Sequence, residues 1–94
     1  MSILRTRLEY SSHFLNERKK YIKNNQPRFE DYKKAVSLFV SNPAHSSLNL
    51  EKLQNAKGIY TIRLNKGDRI FFVWKKESIA LFIDIGKHDK YRRH

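Results

Sequence analysis

The 94-residue chain has no cysteine, three glycines, two prolines and nine acidic residues, and no apolar run long enough to cross a bilayer. Each shortage excludes something. Without cysteine there is no disulfide framework, no thiolate nucleophile and no cysteine-based zinc site. With so little Gly and Pro, no low-complexity segment stands out, and no internal repeat does either. The longest apolar stretches, Ile70–Trp74 and Ile79–Ile83, are strand-sized, and Met1–Ser12 lacks the apolar stretch of a signal peptide. A cytoplasmic protein with no membrane role is the expectation. The shortage of acid leaves 9 Asp+Glu against 20 Lys+Arg, a formal charge of +11. Such a field attracts polyanions and speeds their encounter. The excess is spread over both halves of the chain, so the folded surface, and not only a tail, is basic.

What is present suffices for one compact domain over residues 1–94: 39% apolar residues, with six Phe, five Tyr and one Trp distributed along the chain. Ile3 to Tyr10 alternates, with Leu4, Thr6, Leu8 and Tyr10 on one side, and reads as a half-buried strand. Ser11 and Ser12 can cap a following helix that carries Phe14, Leu15, Arg18, Tyr21 and Ile22 at helical spacing. Asn24-Asn25-Gln26-Pro27 breaks it. A second helix, about Arg28 to Val40, has its stripe at Phe29, Tyr32, Val36, Phe39 and Val40 and ends at Asn42-Pro43. Ala44–Lys57 reads as a loop tied down by Leu48, Leu50 and Leu53. The period then changes to two. Gly58–Leu64, Arg69–Trp74 and Ile79–Ile85 are consecutive strands joined by turns at Asn65–Asp68, with Gly67 able to take positive φ, and at Lys75–Ser78. The expectation is an α+β fold, β-α-α-β-β-β, with two helices on one face of a small, mainly antiparallel four-stranded sheet.

Alternation also reads the other face. If Tyr60, Ile62, Leu64, Ile70, Phe72 and Trp74 meet the helices, Arg63 and Arg69 point away from them. Guanidinium forks match phosphate oxygens, although isolated surface arginines are often only solvated. The last strand ends at Ile85-Gly86, where glycine permits a sharp turn, and releases "GKHDKYRRH". In a meander this end lies beside the start of the previous strand, so His88, Tyr91 and Arg69 are expected to converge. The adjacent His88 and Asp89 are by themselves poor metal-ligand evidence. His13, His45 and His94 are scattered and read as surface residues.

Leu50-Glu51-Lys52-Leu53, Gly58–Leu64, Asp68-Arg69-Ile70-Phe71-Phe72 and Ile85–Arg92, in that order and spacing, resemble the RelE/ParE superfamily of bacterial toxins from type II toxin–antitoxin pairs. The element order and Asn42-Pro43 agree as well. The resemblance implies a small basic endoribonuclease of the RelE/YoeB-like branch. Such a protein cuts mRNA at the ribosomal A site, stops translation, and uses no metal or other cofactor. It also implies an adjacently encoded antitoxin, with operator DNA contacted only through the toxin–antitoxin complex. Residue by residue, Glu51 matches the base, His88 the acid, Arg69 the phosphate-holding arginine and Arg63 a second arginine. Tyr91 resembles a tyrosine that stacks on a base or aids proton transfer. Lys52, Lys87 and Arg92 add RNA-backbone contacts. Many relatives keep the tyrosine next to the histidine or arginine; here Asp89 and Lys90 intervene. Read from the residues alone, Glu51 is equally an ordinary solvated acid. A ParE-like gyrase poison, or a non-catalytic nucleic-acid- or protein-binding module of the same fold, also fits the charge.

Overall fold

The computed structural model describes residues 5–91. Leu4, expected on the first strand, Arg92, an expected RNA contact, and His94 lie outside the described residues. The elements run β1 (Arg7–Tyr10), α1 (Ser12–Ile22), α2 (Gln26–Ser41), a 3-10 turn at Ser46–Leu48, then β2 (Glu51–Lys52), β3 (Tyr60–Arg63), β4 (Asp68–Lys76) and β5 (Ile79–Lys87).

Local chemistry sets the helix ends. The Ser11 side-chain oxygen accepts from the Phe14 amide at 3.0 Å and caps α1, as the two serines suggested. Asn25 caps α2 by accepting from the Arg28 amide at 3.1 Å. Pro27 falls in the first turn, where its missing N–H breaks no helical bond. The second helix therefore starts inside the stretch read as a breaker, and Asn24, at φ 52°, makes the corner between the helices.

The expected α+β class holds, but the sheet has five strands, not four. Their order is β1-β5-β4-β3-β2, and it is mixed: β1 runs parallel to β5 while the other pairs are antiparallel. The added strand, Glu51–Lys52, lies in the segment read as a loop and pairs with Tyr60 and Thr61. Two polar residues are too short to show a period. In the same segment Leu48 is fully buried, as expected of an anchor.

α1 and α2 pack on one sheet face. Phe14, Tyr21, Tyr32, Ala35 and Phe39 meet Ile62, Leu64, Ile70, Phe72, Ala80, Phe82 and Ile85 in one cluster. Phe14, Phe39, Phe72 and Phe82 are completely buried, and each such ring contributes roughly 1.5–3 kcal/mol relative to exposure. Tyr10 and Leu15, expected inside, are each 40% exposed.

Two details of the meander decide what reaches the far face. At the β3–β4 turn, Gly67 stays out of the positive-φ region. The side chain of Asn65 shapes the turn instead, its Oδ1 accepting from the amides of Gly67 at 3.1 Å and Asp68 at 3.0 Å. Between β4 and β5 the register slips, so that Phe71 faces Asp84 while Phe72 faces Phe82, leaving Ile83 as the extra residue of a bulge. The bulge switches the side on which β5 side chains project. Ala80 and Phe82 before it and Ile85 after it all enter the helix-side core, and Asp84 is sent to the opposite face.

Candidate active site

Directly opposed residues of neighbouring strands share a face, so the register lays out the side the helices leave bare. One row is Glu51, Thr61, Phe71 and Asp84; the next is Arg63, Arg69 and Gly86. Arg63 and Arg69 thus sit side by side facing away from the helices, as alternation predicted. Like charges so placed repel. Among the described residues neither forms an ion pair with a carboxylate.

The C-terminal segment folds back over the first row. The His88 amide donates to the Gly67 carbonyl at 2.8 Å, and the Lys90 amide to the Lys87 carbonyl at 3.0 Å, closing a turn. That turn delivers the Tyr91 ring onto Phe71, with centroids 4.7 Å apart. Phe71, although on the helix-free face, is completely buried. The Tyr91 phenol donates to Asp84 Oδ2 at 3.1 Å, and Asn55 Nδ2 donates to the Tyr91 carbonyl at 2.9 Å. Gly86, expected to end the strand, lies within β5 at φ 152°. A Cβ there would come within 3.3 Å of Lys90 Cδ, so the missing side chain makes room for Lys90 to cross the strand.

Lys90 crosses to reach Asp84. Its Nζ donates to Asp84 Oδ1 at 2.7 Å, to the Ile85 carbonyl at 3.1 Å and to Glu17 Oε1 at 3.3 Å. His13 Nε2 lies 3.3 Å from the same Asp84 oxygen. Burial works to raise the Asp84 pKa, but hydrogen bonds from Lys90, the Ile85 amide and Tyr91 outweigh it and hold the carboxyl below its ordinary value. Burial and the neighbouring Asp84 carboxylate push the Tyr91 phenol up to about 12. Ligand atoms of His13, Glu17 and Asp84 also lie within 4.8 Å of one another. The Lys90 ammonium already occupies their common ground.

Between this segment and the β2 region opens a cleft of about 640 Å³, lined by Glu51, Lys52, Leu53, Gln54, Asn55, His88 and Tyr91. Four residues singled out in the sequence, Glu51, Lys52, His88 and Tyr91, therefore border one concavity. The two arginines do not line it. Arg69 is across from Gly86 in the register, yet its guanidinium turns back to donate to the carbonyls of Asp68 at 3.1 Å and Asn65 at 3.3 Å. The expected convergence on His88 and Tyr91 is thus met by the Arg69 backbone and not by its charge. Arg63 borders a smaller cavity of about 170 Å³ with Asp31, Leu38 and Leu48 on the α2 side. Lys87 is exposed opposite Asp68. Sequence reasoning missed Asp84, Lys90 and Asn55. A single acid in the apolar run Ile79–Ile85 was the available signal.

No family model and no curated protein matches the chain. Solved structures do. YafQ from Escherichia coli BL21(DE3) superposes with a TM-score of 0.74 at 16% identity, over 95% of this chain and 100% of that one. A YoeB/ParE toxin from Agrobacterium tumefaciens gives 0.72 at 12% identity, over 88% and 99%. YoeB in the YoeB–YefM complex from Staphylococcus aureus gives 0.69 at 20% identity, over 89% and 98%. The chain has the fold that YafQ and YoeB toxins share.

Proposed function

We propose that this chain is the toxin of a type II toxin–antitoxin pair and acts in the cytoplasm as an endoribonuclease that cleaves mRNA, at the ribosomal A site, so that translation stops. The observation carrying this reading is that a carboxylate, Glu51, and an imidazole, His88, from distant parts of the sequence border one cleft on a basic protein. Cleavage by the RNA's own 2′-hydroxyl needs just such a pair. Glu51 takes the 2′-hydroxyl proton, the 2′-oxygen bonds to the adjacent phosphorus, and the P–O5′ bond breaks. His88 gives a proton to the departing 5′-oxygen. The products are a 2′,3′-cyclic phosphate and a 5′-hydroxyl. Arg69, swung round from the hairpin, holds the charged phosphorane, and Arg63, outside the cleft, contacts the RNA. Among the described residues, Arg69 is held only by backbone carbonyls, which a phosphate can displace. Lys52, Lys87 and Arg92 contact the RNA backbone, and Tyr91 walls the cleft.

The proton transfers are assigned to side chains, so the chain is expected to cleave as well after it has been treated with EDTA and dialysed before it meets Mg²⁺-loaded ribosomes. The partner is an antitoxin: the E. coli DinJ–YafQ complex and the S. aureus YoeB–YefM toxin–antitoxin complex supply the precedent. The test is expression of wild type, His88→Ala and Glu51→Ala, with mapping of mRNA ends. Wild type should produce new 5′-hydroxyl ends, and His88→Ala should cut at least about a hundredfold more slowly. Undiminished cleavage by His88→Ala would remove the proposed site. Intact mRNA together with inhibited gyrase supercoiling would favour a ParE-like poison instead.

A further inference from the structure

We propose that Asp84 is a positioning residue, which holds His88 over the cleft by clasping Lys90 and Tyr91. The inference rests on the reading of His88 as the general acid.

His88 has little of its own to fix it. Its side chain is exposed, and among the described residues its amide bond to Gly67 is a single backbone contact. The residues two and three places beyond it are well held. Lys90 and Tyr91 place one cation and one phenol on the two oxygens of one carboxylate. That carboxylate is almost wholly enclosed, with 5% of its side chain exposed. Of its further partners, His13 of α1 lies 3.3 Å away and the Ile85 amide, at 2.9 Å, belongs to the sheet itself, so the anchor is rigid. Asn55 adds a hold on the Tyr91 carbonyl from the opposite side of the cleft. His88 is thus suspended between the end of β5 and a clasp that begins two residues later.

The clasp also accounts for the two residues between His88 and Tyr91. The turn from Lys87 to Lys90 occupies them, and it brings Tyr91 back over Phe71 with its hydroxyl directed at Asp84. A tyrosine adjacent to the histidine would have no turn to make this return. The phenol proton is committed to a carboxylate, which gives Tyr91 the work of holding the segment. The β5 bulge completes the device, since without it Asp84 would project toward the helices.

The test compares wild type with Asp84→Asn and Tyr91→Phe. Asn keeps an oxygen for one partner, and Phe keeps the ring on Phe71 while removing the hydroxyl. Two readouts are taken on the full chain: amide hydrogen exchange, and the rate of cleavage of translated mRNA. Exchange of the His88 and Lys90 amides should accelerate about tenfold or more, while core amides such as Ile62 and Phe72 keep their protection. The cleavage rate at saturating substrate should fall roughly tenfold to a hundredfold, with little change in KM, because misplacement of a reacting group acts mainly on the chemical step. Unchanged exchange at His88 would overturn the clasp. Faster exchange with wild-type cleavage would overturn its role in positioning. Loss of protection in the core as well would mean that Asp84 is merely structural. Tyr91→Phe, which leaves the Asp84–Lys90 ion pair in place, decides if Asp84→Asn does not fold. A wild-type chain that cleaves nothing, or a fully active His88→Ala, would overturn the ribonuclease reading first, and the positioning of a catalytic group would fall with it.

Discussion

Asp68 and Asp84 are both nearly enclosed, at 8% and 3% exposure, and each accepts a hydrogen bond from a tyrosine phenol: Tyr21 at 2.6 Å and Tyr91 at 3.1 Å. Their surroundings differ. Asp68 begins β4 on the helix side. Asn65 Nδ2 lies within hydrogen-bonding reach of Asp68, of the Tyr21 hydroxyl and of Asp31 on α2, so one knot ties the β3–β4 turn to both helices. Every member belongs to a packed helix or to the turn itself. Burial and Asp68 together raise the Tyr21 pKa well above its ordinary value. Asp84 lies on the other face, and its side-chain partners, Lys90, Tyr91 and the largely exposed His13, border solvent. The same pair of groups rivets the hairpin in one place and latches a short segment in the other. What separates the two uses is how readily the partners return to water when the bond opens.

The widest test of this contrast compares two adjacent phenylalanines. Phe72→Ala opens a cavity between helices and sheet and is expected to cost about 3–5 kcal/mol in urea denaturation. Phe71 is equally buried, but the Tyr91 ring covers it. That cover can settle into the gap, so Phe71→Ala should cost clearly less. Equal losses would break the comparison.

Next come the aspartates. Asp68→Ala strands the Tyr21 hydroxyl and the Asn65 amide inside the fold and should cost roughly 2–3 kcal/mol. Asp84→Ala releases Lys90 and Tyr91 toward solvent and should cost less stability, but more cleavage per folded molecule. The reverse order in urea would contradict this distinction.

Gly86→Ala sharpens the latch side alone. It places a Cβ at φ 152° and 3.3 Å from Lys90 Cδ, for an expected loss of about 1 kcal/mol. The Lys90 resonances should move while those of Tyr21 do not.

The smallest effect is the pH dependence of the latch. The folded-state pKa of Asp84 lies below its ordinary 3.8. Its contribution is therefore full above that value and fades as pH falls through the lower, folded one. For Tyr91 the folded value is raised from 10.0 to about 12, so its contribution is full below 10 and fades as pH rises through about 12. Exchange at the His88 amide, corrected for intrinsic rates, should lose protection at both extremes and hold it in between. Flat protection into acid would deny Asp84 its part.

Much of this arrangement was legible as letters, because it depends on properties carried within a few residues. Ser11 as a cap, the stripe Tyr32–Phe39, the period-two strands around Asn65–Asp68 and the outward Arg63 and Arg69 each follow from local spacing. So do the charge that attracts polyanions and the choice of His88 and Tyr91 in the C-terminal run, whereas Glu51 and Lys52 were singled out only by the family resemblance. What only tertiary structure decided depends on pairing between distant segments. A two-residue strand at Glu51–Lys52 exists because β3 is there to receive it. Asp84 reaches the helix-free face because Ile83 bulges against β4, and one residue of slip reverses the side of everything after it. Arg69 turns to its own hairpin because two carbonyls lie within reach. Periodicity says which residues travel together along a strand. Which face they occupy, and what meets them there, is fixed only when the strands pair.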